Sequence, residues 1–302
     1  MNSSRPEQAG ATRTVRAWWQ AGPFAAVFVL FFLAPLALVL AVSFWNFNEY
    51  QLIPAFTLRN YLRIFEGCAG LNARGDLCVT FATYLSTLKF CFLVWAITLV
   101  VGFAVAYFLA FHVRSATVQT ALFVLCTIPF WTSNVIRMIS WIPFLGRNGL
   151  ANTTLLQLGL IKEPLEFLLF SDFAVVLAYV HLYTLFMVVP IFNSMMRIDR
   201  SLLEAARDGG ASGWQTLRFV IVPLCKPGIA IGSIFIVTIV MGDFVTVRMM
   251  SGGQSASVSL MMVNAMSLLQ YPAAAANAVV LLLLVLFTVA AMMRMVDIRK
   301  EL

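Results

Sequence analysis

The sequence predicts an all-α integral membrane protein with six transmembrane helices. Its 302 residues are 61% hydrophobic and only 11% charged, against about 25% charged residues in an ordinary soluble domain. The apolar residues fall into long blocks, and a helix needs about 20 mostly apolar residues to cross a bilayer. Six segments reach that length, at roughly 21–43, 87–111, 117–141, 173–196, 222–247 and 273–294. These observations exclude a soluble globular domain.

The first apolar block has an alternative reading as a cleaved secretory signal, because Arg13 and Arg16 precede it. Its apolar stretch of roughly 23 residues is longer than the 7 to 15 residues of a usual signal core. We therefore predict a retained first helix behind an N-terminal arm at 1–20. Residues 21–302 then form a single six-helix transmembrane domain.

The basic residues predict the orientation of the chain. Lys and Arg accumulate near the cytoplasmic ends of spans, and here they concentrate in the two termini and in the segment at about 197–222. An even number of spans places both termini on one side, so both are predicted to be cytoplasmic. The net charge of +7 is scattered between apolar blocks, and a scattered charge favours the lipid bilayer over nucleic acid as the partner.

The opposite side carries two long loops, at roughly 44–86 and 142–172, which are candidate docking surfaces. Cys68 and Cys78 lie in the first of them, on the side where an oxidising compartment permits a disulfide. The sequence allows either a disulfide between these two cysteines or two free thiols. The five cysteines include no CxxC or Cys/His cluster, so no metal site is predicted.

The segment between the fourth and fifth spans carries the most specific pattern, RIDRSLLEAARDGGASGWQTLRFVIVPLCKPG. Ser201 and Glu204 have the spacing of a capping box at a helix N-terminus. Gly209 and Gly210 can adopt positive φ and end that helix. Pro223 is placed where a new helix begins. The pattern predicts a short helix, a turn and a second helix outside the membrane.

This segment resembles the EAA loop of permease subunits in bacterial ABC importers, whose pattern is EAA, three residues, Gly, nine residues and I-x-L-P. The corresponding positions are Glu204, Ala205, Ala206, Gly210, Val220, Val222 and Pro223. Valine replaces Ile and Leu at two of them. The plain alternative is an ordinary capped loop helix.

The resemblance implies the type I ABC importer permease fold in a bacterial inner membrane. It implies that the helix around Glu204 seats in a groove of an ATP-hydrolysing subunit. The expected partners are two such subunits, a second and non-identical permease, and an external substrate-binding protein. This chain contains no GxxxxGK[ST] phosphate loop, so we expect no catalysis and no cofactor on it, with ATP and Mg bound by the partner subunits.

Three further strings are similar to permeases of the spermidine/putrescine importer family: GFAVAYFLAF at 102–111, IPFWTSNVIRMISWIPFLGRNGLANTTLLQLGL at 128–160 and IDRSLLEAARDGGAS at 198–212. The resemblance implies a polyamine as the transported solute. Similar strings occur in permeases for other small amines, opines or amino-acid derivatives, so these substrates remain alternatives.

Ionisable residues inside spans tend to face a pathway or a partner. Asp243 could balance a passing ammonium group, or form an ion pair with Arg137 or Arg248. Arg137 and Lys89 could instead snorkel to the interface, and His181 could bond to a neighbouring helix.

Aromatic faces can also attract a cation. The predicted pathway candidates are Asp243, Trp131, Arg137, His181 and Tyr183. Gly228 and Gly232 have the GxxxG spacing of close helix packing, against either a companion permease or a helix of this chain.

Two other function classes fit the sequence less well. A secondary transporter usually carries inverted repeats, and the two halves of this chain show no repetition. An intramembrane enzyme needs a coherent catalytic set, and the sequence holds neither HExxH nor GxSxG.

Overall fold

The computed structural model describes residues 22–48, 51–64 and 78–295, and these residues form long apolar helices. The helices are α1 (Gly22–Ser43), α2 (Arg59–Ile64), α3 (Val79–His112), α4 (Ala116–Trp131), α5 (Asn134–Leu145), α6 (Leu150–Gln157), α7 (Asp172–Met196), α8 (Arg200–Asp208), α9 (Gly213–Leu224), α10 (Lys226–Gly242), α11 (Val245–Met250), α12 (Val258–Ser267) and α13 (Tyr271–Met295). Two short strands, β1 (Asn46–Phe47) and β2 (Leu52–Ile53), pair antiparallel after α1.

Four of the predicted spans are continuous helices long enough to cross a membrane, namely α1, α3, α7 and α13. Helix α3 begins at Val79 rather than near residue 87, so the sequence placed its start too late. The added turns hold threonines whose hydroxyls bond to the preceding turn of the helix. Thr83 Oγ1 donates to the Val79 carbonyl at 2.8 Å, and Thr87 Oγ1 donates to the Thr83 carbonyl at 2.9 Å.

The third predicted span, 117–141, is not continuous. Helix α4 meets the segment Asn134–Gln157, which contains α5 and α6, at an angle of 89°. The residues between them, Thr132 and Ser133, have extended backbone with ψ of 149° and 137°. Pro129 lies just before this break, in a segment that has tightened to a 3-10 helix, and proline lacks the amide hydrogen that would continue the α-helix.

The fifth predicted span, 222–247, is also interrupted. Helices α9 and α10 form a bend of 66° around Cys225, and α10 ends at Gly242, before the predicted boundary. Pro223 was expected where a new helix begins, and it lies in the first turn of the short α-helical segment Val222–Leu224, which follows a π-helical segment at Leu217–Ile221 and completes α9. The next helix begins at Lys226, with Pro227 in its first turn.

Helix α7 lies at the centre of the core and packs against both α3 and α10. The glycines at 228 and 232 allow this close approach. A Cβ atom at Gly232 would lie 2.7 Å from the Met187 sulfur, and one at Gly228 would overlap the Pro190 carbonyl. The GxxxG pair therefore packs against a helix of this chain, one of the two predicted alternatives.

The segment that follows α1 folds back onto it. The buried Asn60 side chain on α2 donates to the carbonyls of Ser43 at 2.9 Å and Trp45 at 2.8 Å. Tyr61 shares a hydrogen bond of 2.6 Å with the Ser43 hydroxyl. These bonds order the described part of the first predicted external loop next to α1.

Candidate functional site

The predicted EAA segment forms helix α8, and its N-cap is Asp199. The Asp199 carboxylate accepts a hydrogen bond of 3.0 Å from the Ser201 amide. The predicted cap at Ser201 with a capping box to Glu204 is wrong, because the cap and the start of the helix lie two residues earlier, at Asp199 and Arg200. The hydrogen bonds from Ser201 hold the pKa of the Asp199 carboxyl below its usual value.

Helix α8 ends in a Schellman motif at Gly210. The Gly210 amide donates to the Arg207 carbonyl at 2.9 Å, and the Ala211 amide donates to the Ala206 carbonyl at 3.0 Å. This motif places residue 210 in the left-handed region, with φ of +79°, where glycine is favoured. Gly209 has φ of −72°, so only the second of the two predicted glycines has positive φ.

The two faces of α8 have different surroundings. Leu203 packs against the hydrophobic core and Ala206 is half-buried, whereas Glu204 and Ala205 are exposed. Helix α9 follows at once and begins with a capping box between Ser212 and Gln215. The structure therefore presents Glu204 and Ala205 outward on a helix that is fixed at both ends.

A cavity of about 350 Å³ separates α8 from the end of α3. Glu204 lines it together with basic and aromatic residues, and the lining includes Tyr107, Phe111, Arg114, Arg200 and Arg207. Within the described residues, none of these arginines lies within 4.0 Å of a carboxylate. The exposed Glu204 thus stands in a predominantly basic recess.

Asp243 lies where α10 ends, and its carboxylate is held by four donors. Oδ1 accepts from the amides of Val245 at 2.7 Å and Thr246 at 3.1 Å. Oδ2 accepts from the Tyr183 hydroxyl at 2.5 Å and the Thr246 hydroxyl at 2.6 Å. The Tyr179 hydroxyl also donates to the Asp243 carbonyl, at 3.2 Å. Asp243 therefore caps α11 and ties it to α7.

The predicted ion pair of Asp243 with Arg137 or Arg248 is not formed. The ion pairs of the described residues are Lys89 with Asp172 and Arg147 with Glu166. The physical reason is that α10 ends at Gly242, so the Asp243 carboxylate turns toward the free amides of α11 instead.

Arg137 and His181 line a second cavity of about 170 Å³. The Trp141 indole donates to His181 Nδ1 at 3.0 Å, and Arg137 Nη2 donates to the Asn134 side chain at 2.5 Å. Arg137 Nε is buried and has no hydrogen-bond partner among the described residues. The walls come from α3, α4, α5 and α7, and they include Val105, Cys126, Pro129, Phe130, Thr184 and Val188.

The five predicted pathway residues therefore divide into three groups. Arg137 and His181 share the 170 Å³ cavity, whereas Tyr183 and Asp243 bond to each other. Trp131 belongs to neither group and is 74% exposed.

An ion pair at the far end of α7 was missed by the sequence analysis. Lys89 Nζ on α3 lies 2.6 Å from Asp172 Oδ2 at the start of α7. The Ser255 hydroxyl donates to the other oxygen of Asp172. Lys89 was expected to snorkel, but it is paired with a carboxylate. The available signal was Ser171 followed by Asp172, which is typical of a helix start.

The predicted disulfide falls partly outside the described residues. Cys78 is disulfide-bonded, and Cys91, Cys126 and Cys225 are free thiols. Cys68 lies outside the described residues, so its pairing with Cys78 stays a prediction.

The described residues form four continuous helices long enough to span a membrane and two bent helix pairs, and the capped helix α8 lies between α7 and α9. Residues 92–301 match the family described as binding-protein-dependent transport system inner membrane component, and the chain belongs to this family. It is the transmembrane, non-catalytic subunit of an ABC importer of the inner membrane, which works with separate ATPase and substrate-binding proteins.

Several relatives cover most of the chain. The spermidine/putrescine permease protein PotB of Escherichia coli is 31% identical over 253 residues, which are 83% of this chain and 87% of that protein. PotB of Haemophilus influenzae is 31% identical over 75% of this chain and 74% of its own length. The inner membrane ABC transporter permease YdcU of Escherichia coli is 28% identical over 72% of this chain and 70% of its own.

A bacterial alginate ABC transporter, crystallised with an alginate-bound periplasmic protein, has the same fold. One of its chains superposes with a TM-score of 0.72 at 15% identity, covering 97% of this chain and 98% of that one. This likeness establishes the type I permease fold, in which the two bent helix pairs complete six spans.

Proposed function

We propose that this chain forms part of the translocation pathway for a polyamine of the spermidine/putrescine type. The observation that carries the substrate is the 31% identity to PotB over 83% of the chain. The alginate transporter shares only 15% identity, so its sugar substrate has no bearing on this one.

A second candidate is a small solute that carries a carboxylate, such as an opine or an amino-acid derivative. The observation that favours it is the Arg137 guanidinium, which lines a cavity and has a buried Nε without a partner. A guanidinium binds a carboxylate through paired hydrogen bonds, whereas it repels an ammonium group. The substrate test below separates the two candidates.

We propose that α8 is the coupling helix and that an ATPase subunit receives it in a groove. Glu204 and Ala205 would contact the groove, since both are exposed on α8. Ala206 keeps the inner face of the helix small, and Gly210 provides the turn. Pro223 and the π-helical segment before it stand at the junction through which motion of α8 would reach α10.

We propose an assembly with two ATPase subunits that bind ATP and Mg, a second and non-identical permease, and an external binding protein. Both termini and the arm at 1–20 would be cytoplasmic, on the same side as the arginine-rich segment 197–222. A companion permease is supported by an apolar groove of about 770 Å³ between α7 and α10, whose lining includes Val189, Leu224, Ile231 and Phe235.

The proposed pathway lining consists of Arg137, His181, Tyr183, Asp243 and Trp131. Arg137 and His181 are supported by their cavity. Asp243 and Tyr183 would act differently, by holding the break between α10 and α11 in place. Trp131 would contact the solute only from a surface completed by another subunit.

The test is the ATPase activity of the whole complex, purified through a tag on this chain together with its partner subunits. Binding protein loaded with spermidine or putrescine should stimulate hydrolysis. Stimulation by a carboxylate-bearing amine alone would replace the polyamine with the second candidate. A complex without any ATPase subunit would contradict the coupling role of α8.

A further inference from the structure

Asp243 at the end of α10 and Asp172 at the start of α7 differ in how many further hydrogen bonds their carboxylates can accept. A carboxylate offers about four acceptor positions. The four donors around Asp243 occupy all of them. Among the described residues, Asp172 accepts only from Lys89 and Ser255, and its side chain is 48% exposed. Asp172 can therefore accept further donors, and Asp243 cannot.

Asp172 also has the position of an entry site. It is the first residue of α7, at the end of the helix opposite α8. His181, which lines the 170 Å³ cavity with Val105 of α3, lies nine residues further along the same helix, or about 14 Å at 1.5 Å per residue. Helices α3 and α7 thus carry the Lys89–Asp172 pair at one end and the cavity deeper in the fold.

The group that now occupies Asp172 resembles the proposed solute. Lys89 provides a primary ammonium on a flexible four-carbon stem, and each end of a polyamine is a primary ammonium on an alkyl chain. The Lys89 side chain is 55% exposed, and ion pairs with this exposure are held weakly. A solute ammonium can exchange with it without opening the core.

We propose that the Asp172 carboxylate is an entry subsite for an ammonium group of the solute, and that Lys89 occupies this subsite at rest. The Ser255 hydroxyl orients the carboxylate by binding Oδ1, which leaves Oδ2 for the ammonium. This inference rests on the amine substrate proposed above.

The test measures radiolabelled spermidine retained by the whole complex, trapped with orthovanadate and docked binding protein, as a function of spermidine concentration. Asp172→Asn removes the negative charge, and half-saturation should require about tenfold more spermidine. Lys89→Gln removes the competing ammonium, and half-saturation should need about threefold less. The opposite directions are the signature of competition for one carboxylate.

The matched control is the other ion pair of the described residues, between Arg147 Nη1 and Glu166 Oε1 at 3.6 Å, with side chains 71% and 76% exposed. Both residues lie in the predicted docking loop 142–172, so any effect of Arg147→Gln and Glu166→Gln on docking should shift the half-saturation concentration in the same direction, not in opposite directions. Amounts of assembled complex in the membrane show whether each variant folds.

A purely structural clamp gives a different result. Asp172→Asn and Lys89→Gln would then weaken retention alike, and the exchanged pair Lys89→Asp with Asp172→Lys would restore it. That result overturns the entry subsite, while stimulation of the unaltered complex by spermidine-loaded binding protein keeps the polyamine proposal. An unaltered complex that neither retains spermidine nor responds to it overturns both.

Discussion

At the scale of single residues, the sequence shows that Asp243 is unusual, but it does not show what its carboxylate does. An ionisable residue inside an apolar block indicates a special environment, and this much is readable from the sequence. The role of the carboxylate depends on where α10 ends. Gly242 and Asp243 are residue types that end and begin helices, but they stand inside an apolar run that the sequence alone favours as one continuous span. Asp172 was missed for the related reason that its partners, Lys89 and Ser255, are distant in sequence.

Asp243→Asn should destabilise the contact between α7 and α11. The asparagine oxygen can still accept from the two backbone amides, but its NH2 group cannot accept from the hydroxyls of Tyr183 and Thr246. Leaving such groups unpaired costs about 1 to 3 kcal/mol. We expect a lower melting temperature of the purified complex and weaker uptake.

Tyr107→Phe is the control for this measurement, because it also removes a phenol hydroxyl, and that hydroxyl makes no hydrogen bond to the described residues. Tyr183→Phe should lower the melting temperature and Tyr107→Phe should not. Equal melting temperatures for unaltered protein and Asp243→Asn would contradict a stabilising role of the bonds from Tyr183 and Thr246 to the carboxylate, and unchanged uptake would remove Asp243 from the pathway.

Gly210 and Gly209 provide a matched pair for testing the turn after α8. Gly210 has φ of +79° and no atom within 4 Å of an added Cβ, so alanine there meets only backbone strain, of about 1 to 2 kcal/mol. Asparagine tolerates this conformation better. Substrate-stimulated ATPase activity should fall for Gly210→Ala, less for Gly210→Asn and least for Gly209→Ala, where φ is −72°. Equal activities would show that the Schellman turn does not matter for coupling.

At the scale of elements, the existence of the spans was predictable and their continuity was not. Apolar composition predicts that a segment lies in the membrane, and it is equally high on both sides of a bend. The break at Thr132 and Ser133 and the break at Cys225 each follow a proline by a few residues, so proline was the signal. Proline is also tolerated inside continuous helices, as Pro190 is in α7. A proline therefore cannot by itself distinguish a broken span from a continuous one.

Substitutions at the N-terminus of α8 distinguish the predicted cap, Ser201, from the observed cap, Asp199. Asp199→Ala removes the acceptor of the Ser201 amide, and loss of an N-cap costs about 0.5 to 2 kcal/mol. We expect faster hydrogen exchange at the amides of the first turn of α8. Ser201→Ala should leave exchange unchanged. Faster exchange in Ser201→Ala than in Asp199→Ala would show that Ser201 is the cap, as the sequence predicts.

At the scale of the whole molecule, the proposed role of the exposed surface of α8 requires a second subunit. The EAA spacing identified this helix from the sequence because the pattern is local, within about 20 residues. The pathway is not local, since its proposed lining comes from α4, α5, α7 and the end of α10. This is why a short helix at Glu204 was predicted correctly, while the five pathway residues belong to separate groups.

Ala205→Trp should uncouple the transporter without unfolding this chain. Ala205 is exposed on α8, so a large side chain there can extend into solvent without displacing the core, but it would prevent a partner surface from approaching the backbone. We expect normal amounts of the variant in the membrane, reduced copurification of the ATPase subunits and loss of ATP-driven uptake. Leu203→Trp, at a position that packs against the core, should instead lower the amount of folded protein. Uptake by Ala205→Trp at the rate of the unaltered complex would show that this face of α8 remains free in the assembly, and the coupling surface would then have to be sought in the basic recess beside Glu204.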